Sequence, residues 1–453
     1  MIKRSLKEIQ EMVNGRGLDS KYENNVIEQV IIDSRKVVKG SLFIPIAGEN
    51  FNGHRFAAQA LLDGAGAALW SEKEKNPPQN KPVIFVEDTL KALQLLAQNY
   101  KEQLQVKVVG VTGSNGKTTT KDLIASVLST AYQVHKTKGN FNNHIGLPLT
   151  LLAMPESVDI AVLEMGMSSK GEIELLSKLA KPDIAVITNI GESHLMDLGS
   201  REGIADAKLE IVSGLNSSGE LIYIGDEPLL QERVKDLPFK KTTFGDGDRN
   251  DLYPDEILQK TGGTSFKVNG SEYSIPILGK HNVYNALAAI AAAKHFGLSE
   301  EKIREGLSCL EMTGMRLEMT KTESGLSIIN DAYNASPTSM KAAVKLMEDL
   351  DGYIKKVVVL GDMLELGDHE EFFHTEVGRE INHTAIDYVY TFGKLGAYIA
   401  NGALKNFLPE KVKHYEDKQE LIADLKQTAG KGDLILVKAS RGMRLEEVVE
   451  GLK

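Results

Sequence analysis

The sequence predicts an α/β protein built from three domains. Its 453 residues exceed what one ordinary core accommodates, so two or three domains are expected. Short apolar runs alternate with segments of helical periodicity, which is typical of parallel sheets. A glycine-rich loop joins one such run to a helical segment, as in phosphate-binding loops. We therefore predict a small N-terminal α/β domain, a central P-loop-type, mostly parallel sheet with flanking helices, and a C-terminal Rossmann-like α/β domain.

The N-terminal block covers residues 1–98. Its first stretch, MIKRSLKEIQEMVNGRG, is charged throughout and predicts an amphipathic helix. VIIDSRKVVKGSLFIPI contains short apolar runs interrupted by a turn, and a helix is predicted near Phe56–Gly64. EKEKNPPQNKPVIFV supplies a polar loop and a further strand. These features predict a small α/β unit.

The central block covers residues 99–313. Val106, Val108, Val109 and Val111 predict a buried strand, and after the glycines apolar residues recur at helical spacing. Further strands are predicted in DIAVLEMG and DIAVITNIG, with a helix between them that ends at Pro182. Another helix, beginning near Val283, carries a broad apolar face that packs in a core.

The C-terminal block covers residues 314–453 and repeats the alternation. Strands are predicted in LSIIND, KKVVVLGD, AIDYVYTFG and DLILVKASRG, and helices in PTSMKAAVKLMEDL and near Phe372–Asn382. The pattern predicts a second open sheet. No G-x-G-x-x-G follows its strands, so dinucleotide binding is not indicated.

Composition narrows the class of protein. The net charge of −10, from 63 acidic and 53 basic residues, argues against nucleic acid or an anionic membrane as a partner. The N-terminus lacks a signal peptide's apolar stretch, and the most apolar run, NALAAIAAA, is far shorter than a membrane span, so a cytoplasmic protein is expected. The single cysteine, Cys309, excludes an internal disulfide, and we interpret it as a small buried residue.

The loop GVTGSNGKTTTKDLI departs from the usual G-x-x-x-x-G-K-[ST] pattern, because Val111 stands where the first glycine belongs. Backbone N–H groups at a helix N-terminus suit a polyphosphate. Lys117 would contact the β- and γ-phosphates, and the Thr118 hydroxyl would bind Mg²⁺. The alternative is a glycine-rich turn with an exposed lysine.

Polar residues cluster at predicted strand ends, where open parallel sheets bind ligands, and predict one or two clefts. They are Glu164, Asn189, His194, Asp331, Asp362, Lys438, Ser440 and Arg441. Glu164 lies where a Mg²⁺ ligand would be expected. By themselves, His194 would be a polar loop histidine and Lys208 an exposed helix lysine.

Two further pairs leave alternatives open. Asn282 and Asn285, at the start of the helix near Val283, could cap it or face a ligand. Arg316 could bind a phosphate in bidentate fashion and Asp331 could hold ribose hydroxyls. Both could equally form an interdomain ion pair.

Several spaced motifs together resemble the Mur ligase family, the ATP-dependent amide-forming ligases of peptidoglycan precursor synthesis. They are GVTGSNGKTTTK, NFNNHIGLPLT, LEMGMSSKGEI, TNIGESHLMDLGSREGIADAKLEI, GKHNVYNALAAIAAA, MRLE and NDAYNASPTSM. With DSR near the start and VKASRG near the end, the resemblance spans nearly the whole chain. The family's loop is G-x-x-G-K-T, which accounts for Val111.

The resemblance implies an ATP site, with the middle block as the ATPase domain. Its predicted residues are Gly113, Ser114, Asn115, Gly116, Lys117, Thr118 and Thr119, with Asn282 near adenine and with Arg316 and Asp331 at phosphate and ribose. In the family the lysine at position 208 is carbamylated by CO₂. This implies two Mg²⁺ ions, one near Thr118 and Glu164 and one among Glu164, His194 and the carbamate. Lys117, Glu164, His194 and Lys208 are thus the implied catalytic residues.

NDAYNASPTSM, LGDMLELGDHEEFFH and HLMDLGSREGIADAK resemble members that add D-alanyl-D-alanine to UDP-N-acetylmuramoyl-tripeptide. The resemblance implies that the N-terminal domain binds the UDP-sugar and that the C-terminal domain is the ligase domain. The implied substrate residues are Ser34, Arg35 and the loop IPIAGENFNGHRF for the UDP-sugar, Asn140, Asn142 and Asn143 near the reacting carboxylate, and Tyr333, Asn334 and Asp362 for the dipeptide. His144 stands where other members often carry an acidic residue.

In the family's reaction, a substrate carboxylate attacks the γ-phosphate of ATP, and an amine then displaces phosphate from the acyl phosphate. No protein nucleophile is required, and domain closure assembles the site. We expect a monomer. Two alternatives are a related ligase that adds a free diamino acid as the third peptide residue, and a nucleotide switch without catalysis.

Overall fold

A computed structural model describes residues 1–48, 51–260, 262–311 and 314–453, with only the backbone of Lys260. It contains three α/β regions in chain order, each with its own parallel or mostly parallel sheet. The predicted fold class is therefore confirmed.

The N-terminal region contains a four-stranded parallel sheet in the order β3-β4-β7-β8. Two short antiparallel pairs, β1-β2 and β5-β6, lie outside it. Its elements are β1 (Arg4–Ser5), α1 (Leu6–Met12), β2 (Val26–Ile27), β3 (Gln29–Ile31), β4 (Ser41–Phe43), β5 (Ala47–Gly48), β6 (Phe51–Asn52), α2 (Ala57–Leu62), β7 (Ala67–Ser71), β8 (Val83–Val86) and α3 (Thr89–Leu104).

Helix α3 connects the first region to the second. It begins at an N-cap, where the Asp88 side chain accepts a hydrogen bond from the Lys91 N–H at 2.9 Å. Its buried face includes Leu93, Leu96 and Tyr100, and the Tyr100 hydroxyl donates to the Met154 carbonyl at 2.8 Å. The domain boundary predicted at residues 98 and 99 falls within this helix, which packs against both regions.

The central region contains a six-stranded parallel sheet in the order β10-β11-β9-β12-β13-β14. A separate three-stranded antiparallel sheet, β15-β16-β17, was not predicted. The elements are β9 (Lys107–Thr112), α4 (Lys117–Leu128), β10 (Val134–Lys136), α5 (Gly146–Leu152), β11 (Ile160–Glu164), α6 (Glu172–Ala180), β12 (Ile184–Ile187), α7 (Leu195–Leu198), α8 (Arg201–Leu209), β13 (Glu220–Ile224), α9 (Pro228–Val234), β14 (Lys240–Phe244), β15 (Glu256–Lys260), β16 (Gly263–Val268), β17 (Ser271–Ile275), α10 (Lys280–His295) and α11 (Glu300–Ser308).

The two faces of the central sheet bury different partners, because successive side chains of a strand point to opposite faces. In β9, Val108 belongs to a core shared with the N-terminal region. Val109 and Val111 belong to a second core, which helices α4 and α10 complete. The N-terminal region is therefore packed onto one face of the sheet, while the other face carries the helix that follows the glycine-rich loop.

The C-terminal region contains a six-stranded sheet in the order β18-β19-β23-β20-β21-β22, parallel except for the edge strand β18. Its elements are β18 (Glu318–Lys321), β19 (Ser327–Asp331), α12 (Pro337–Asp349), β20 (Lys356–Gly361), α13 (Glu370–Glu380), β21 (Tyr388–Phe392), α14 (Gly396–Ala403), β22 (Val412–Tyr415), α15 (Lys418–Thr428), β23 (Leu434–Lys438) and α16 (Glu446–Leu452).

Within the described ranges, no helix has the length and apolar character needed to cross a bilayer. Cys309 is exposed, so its interpretation as a buried residue is wrong. It directly follows Ser308, the last residue of α11.

Removing the Tyr100 hydroxyl tests the connection through α3. We expect Tyr100→Phe to lower the free energy of unfolding by about 1 kcal/mol, because the buried Met154 carbonyl loses its hydrogen bond. The measurement is urea unfolding followed by circular dichroism. Tyr22→Phe is the control, since its hydroxyl bonds the Asn80 carbonyl at an exposed position. Equal stability of the Tyr100 variant and the wild type would contradict this account of the interface.

Candidate active site

The carboxyl ends of three neighbouring central strands place the predicted loop and its polar neighbours together. Glu164 of β11 pairs with Val111 of β9 in the parallel ladder, and Ile187 of β12 pairs with Thr112. The loop that begins at Gly113 therefore leaves β9 between Glu164 on one side and Thr188 on the other. This juxtaposition follows from strand order.

The loop's glycines are required by close packing. Gly113 has φ of 144°, and a Cβ there would lie 1.9 Å from Thr188 Oγ1. Neighbouring loops hold the turn, since the Asn115 N–H donates to Asn189 Oδ1 at 2.8 Å and the Gly191 N–H donates to Ser114 Oγ at 2.9 Å. The loop is thus held in a compact turn at the N-terminus of α4, where its N–H groups suit an anion.

Lys117, the first residue of α4, folds back over the loop. Its Nζ donates to the Gly113 carbonyl at 2.7 Å and to the Ser114 carbonyl at 3.2 Å. Removal from water lowers the pKa of the Lys117 amine to about 8, although Glu164 nearby favours the charged form. The alternative of an exposed lysine on a glycine-rich turn is therefore wrong.

Thr118 and Glu164 bring oxygen atoms together beside the loop. The Thr118 hydroxyl donates to Glu164 Oε2 at 2.9 Å, and Asn142 Nδ2 donates to Glu164 Oε1 at 2.8 Å. Thr118 and Glu164 are both buried. A hydroxyl and a carboxylate are oxygen donors of the type that Mg²⁺ prefers, so this pair fits the predicted first ion.

Lys208 is the most unusual residue near the site. It lies near the end of α8, and its side chain is 0% exposed. Its Nζ has no hydrogen-bond partner among the described residues. Burial, together with the nearby charge of Lys117, holds the pKa of the Lys208 amine well below its usual value. Burial therefore disfavours the charged form of this amine, and Lys208 is not the exposed helix lysine that the sequence alone suggests.

Unmodified side chains of the described residues do not form the site of the second predicted Mg²⁺ ion. Among the described residues, no group of three or more His, Cys, Asp or Glu side chains is placed to hold a metal. His194 Nδ1 lies 2.8 Å from Glu365 Oε2. A carbamate on Lys208 would supply the missing anionic oxygen, so these residues fit a second ion only if that amine is modified.

Asn282 and Asn285 link α10 to α4. The sequence alone left open whether they cap the helix or face a ligand. Asn282 Nδ2 donates to the Leu278 carbonyl at 2.7 Å, and Asn285 Nδ2 donates to Asn282 Oδ1 at 3.0 Å. Asn285 Oδ1 accepts from the Thr120 hydroxyl at 3.1 Å. The helix begins at Lys280, slightly earlier than predicted, so these polar residues form its first turns and also line the cleft.

The C-terminal region supplies the opposite wall of this cleft. Asp331 Oδ2 accepts from Lys438 Nζ at 2.5 Å, and Asp331 Oδ1 accepts from the Leu317 N–H at 3.2 Å. The Arg316 guanidinium lies 4.3 Å from the centre of the Tyr333 ring. Asp331 therefore pairs with Lys438 of its own region and not across the boundary to the central region.

The other predicted substrate residues lie at several places. Arg35 is exposed and binds Asp33, its Nη2 lying 2.8 Å from Asp33 Oδ2, which holds the pKa of Asp33 at about 2.

Asn143 Oδ1 accepts from the Gly146 N–H, at the start of α5, at 2.8 Å. Buried Asp362 accepts from the Gly396 N–H at 2.7 Å at the start of α14, and its contact with the dipeptide stays a prediction. Ser34 is part-buried, Asn140 is exposed, and Asn334 lines the cleft. Glu49 and Asn50 of the predicted UDP-sugar loop lie outside the described residues.

Contacts between the central and C-terminal regions were not predicted. The Ser336 hydroxyl donates to Asn115 Oδ1 at 3.1 Å, and the Thr338 hydroxyl donates to Glu192 Oε2 at 2.5 Å. Both hydroxyls lie at the N-terminus of α12. Ser336 and Thr338 fall within NDAYNASPTSM, so the motif marks the segment, although the sequence does not reveal which loops it meets.

Three Mur ligase family models match successive parts of the chain. They are described as "Mur ligase family, catalytic domain" for residues 26–101, "Mur ligase middle domain" for 111–293 and "Mur ligase, glutamate ligase domain" for 315–441. A relative from Bacillus subtilis (strain 168), named UDP-N-acetylmuramoyl-tripeptide–D-alanyl-D-alanine ligase, is 61% identical and covers 100% of this chain and 99% of its own.

Two solved structures also match along the chain. A crystal structure of MurF from Acinetobacter baumannii has a TM-score of 0.90 and 31% identity, and covers 100% of this chain and 99% of its own. The structure of MurF ligase from Thermotoga maritima in complex with ADP has a TM-score of 0.83 and 30% identity, and covers 94% and 97%.

The low pKa of Lys117 predicts how binding at the loop depends on pH. As the pH rises through about 8, the amine loses its proton and with it a charge-assisted contact to phosphate. We expect ADP affinity, measured by calorimetry from pH 7.5 to 9.5, to fall by about tenfold. Lys117→Arg is the control, because its guanidinium stays charged and the fall should disappear. A fall of equal size in both proteins would show that another group titrates.

Proposed function

The chain belongs to the Mur ligase family, and from that premise we propose that it joins D-alanyl-D-alanine to UDP-N-acetylmuramoyl-tripeptide. ATP is converted to ADP and phosphate in the same reaction, which belongs to peptidoglycan precursor synthesis. The relative that is 61% identical over the full chain carries this name, and it supports the choice of substrates. We also propose that the protein is a monomer and that it acts in the cytoplasm.

One observation of the site carries the proposal. The phosphate-type loop, with Lys117 and Thr118, lies beside Glu164 and close to the buried Lys208, whose Nζ has no hydrogen-bond partner among the residues that the structure describes. A nucleotide switch needs the loop alone and gives no reason to bury a second amine. A ligase that activates a carboxylate must neutralise several negative charges at one point, which explains why the Lys117 ammonium and the oxygen donors Thr118 and Glu164 lie together here.

In the first step, a terminal carboxylate oxygen of the tripeptide attacks the γ-phosphorus of ATP. The bond from γ-phosphorus to the β,γ-bridging oxygen breaks, which gives an acyl phosphate and ADP. The loop N–H groups and the Lys117 ammonium hold the β- and γ-phosphates against α4, once Lys117 exchanges its carbonyl contacts for phosphate oxygens. Thr118 and Glu164 would hold Mg²⁺, which when bound neutralises phosphate charge.

In the second step, the amine of D-alanyl-D-alanine attacks the acyl carbon and a tetrahedral intermediate forms. Its collapse expels phosphate and leaves the amide, and the amine proton passes to solvent or phosphate. We assign the nucleotide's ribose and phosphate side to Asp331 and Arg316, which line the cleft opposite the loop. Asn282 would face adenine, and Tyr333 and Asn334 would face the dipeptide.

We further propose that Lys208 carries a carbamate. Its neutral amine attacks the carbon of CO₂, forms an N–C bond and releases one proton to solvent. The support is physical: burial disfavours the charged form of the Lys208 amine, the neutral form is the one that attacks CO₂, and Lys208 lies near Lys117 of the loop that also carries the oxygen donor Thr118. The carbamate with Glu164 and His194 would hold a second Mg²⁺.

A product-identified ligase assay tests the function. We expect ADP release only when ATP, the UDP-sugar tripeptide and D-alanyl-D-alanine are all present, with the UDP-sugar pentapeptide as the product seen by mass spectrometry. Tripeptides with L-lysine and with meso-diaminopimelate are both supplied, so that substrate preference cannot mask activity. Extension of a UDP-sugar dipeptide by a free diamino acid would instead support the related ligase, and nucleotide binding without amide formation would support the switch.

Replacement of Lys208 tests the carbamate separately. We expect Lys208→Ala to lower kcat by about 100-fold or more, because an anionic metal ligand is lost. Formate or acetate should restore part of the rate by occupying the vacated volume with a carboxylate. Lys178→Ala is the control, since Lys178 is an exposed lysine on α6. Near-normal turnover of Lys208→Ala would overturn the second metal site.

A further inference from the structure

The stretch LGDMLELGDHEEFFH contains an acidic residue, Glu365, to which the proposed reaction gives no role. Its Glu365 lies in the loop between β20 and α13 of the C-terminal region. This loop meets the segment of the central region that carries His194. Glu365 Oε2 lies 2.8 Å from His194 Nδ1, and the Met196 N–H points to the Glu365 carbonyl at 3.5 Å.

Both partners in this contact have left-handed backbones. His194 has φ of 65° and Glu365 has φ of 67°. Residues with a Cβ adopt this region at a cost, and such conformations concentrate at functional sites where surrounding structure holds them. Gly367, with φ of 61°, brings the second loop within 3.3 Å of the Met196 side chain, measured from a Cβ built on the glycine. Two strained loops from different regions therefore meet at one histidine.

We propose that Glu365 is a positioning residue that orients His194 for metal binding, and that it does so across the boundary between the central and C-terminal regions. This inference rests on the proposed function, in which His194 is a Mg²⁺ ligand. A histidine that binds a metal through one ring nitrogen commonly donates its other N–H to a carboxylate, which fixes the tautomer and the ring orientation. With Glu365 at Nδ1, Nε2 is the nitrogen left for the metal.

The geometry shows a contact that ligand binding would tighten. The Nδ1 atom is buried, and the 2.8 Å separation meets the distance of a hydrogen bond but not its alignment. Catalytic hydrogen bonds are often poorly aligned without ligands and straighten in the complex. The carboxylate belongs to the C-terminal region, so the metal site of the central region is complete only when that region is docked.

A second contact across the same boundary provides a matched control. Glu192 accepts from the Thr338 hydroxyl and is also a carboxylate that joins the two regions. It has no role in the proposed metal site. Glu192→Ala therefore removes an interdomain contact without removing the partner of His194. Glu365→Ala removes an interdomain contact and the partner of His194 together. Glu365→Gln keeps the side-chain volume but removes the charge.

The experiment measures metal binding as well as rate. We expect Glu365→Ala to raise the Mg²⁺ concentration for half-maximal ligase rate by about tenfold or more at saturating ATP, with Glu365→Gln between Ala and wild type. In electron paramagnetic resonance titrations with ADP present, Mn²⁺ affinity should fall in the same order. Glu192→Ala should leave both quantities within about twofold of wild type.

Two results would overturn the inference. The first is that both Glu365 variants keep the wild-type circular dichroism spectrum and also show an unchanged Mg²⁺ dependence of the ligase rate and an unchanged Mn²⁺ affinity. The second is an equal shift in Glu192→Ala, which would assign the effect to domain docking alone. Failure of the proposed function is distinguishable, because it would appear as a wild-type protein without ligase activity, whereas the Mn²⁺ titration does not require turnover.

Discussion

The burial of the Lys208 amine, with no hydrogen-bond partner in the described part of the chain, is the constraint on which the rest of the site depends. An ammonium at this position would be both desolvated and repelled by Lys117, so the pKa of the Lys208 amine lies well below its usual value. Leaving a buried polar group unsatisfied costs free energy, typically about 1–3 kcal/mol. Because this buried amine lies at the edge of a phosphate-type loop, we infer that it acquires a partner or a modification during function.

The fold explains why this amine, the loop and Glu164 meet. Parallel strands end at one edge of the sheet, and the register of β9, β11 and β12 brings their following residues side by side. Helix α4 presents Lys117 and Thr118 at that edge, while the C-terminal region contributes Asp331 and Lys438 from the ends of its own strands. The cleft is thus formed where the carboxyl edges of two open sheets face each other, which is the expected ligand position in such sheets.

Part of this arrangement could be predicted from the sequence. The strands before Gly113 and after Pro182, the helices flanking them and the loop all have strong local patterns, and the structure contains them. Side-chain partners could not be predicted. The pairing of Asp331 with Lys438 depends on β19 and β23 being neighbours although they are distant in sequence. The hydrogen bonds of Asn143 and Asp362 to the first N–H groups of α5 and α14 are likewise absent from any local pattern. Burial of Lys208 was also hidden, because a lysine at a helix end is ordinarily exposed.

The central claim, that the Lys208 amine is converted to an anionic metal ligand, is tested most directly by ¹³C nuclear magnetic resonance. Purified protein equilibrated with ¹³C-bicarbonate and Mg²⁺ should show one protein-bound carbonyl resonance, and Lys208→Arg, which fills similar volume but stays protonated, should lack it. Absence of a bound resonance in wild-type protein that is active in the same tube would contradict the account. So would an identical resonance in the Lys208→Arg variant.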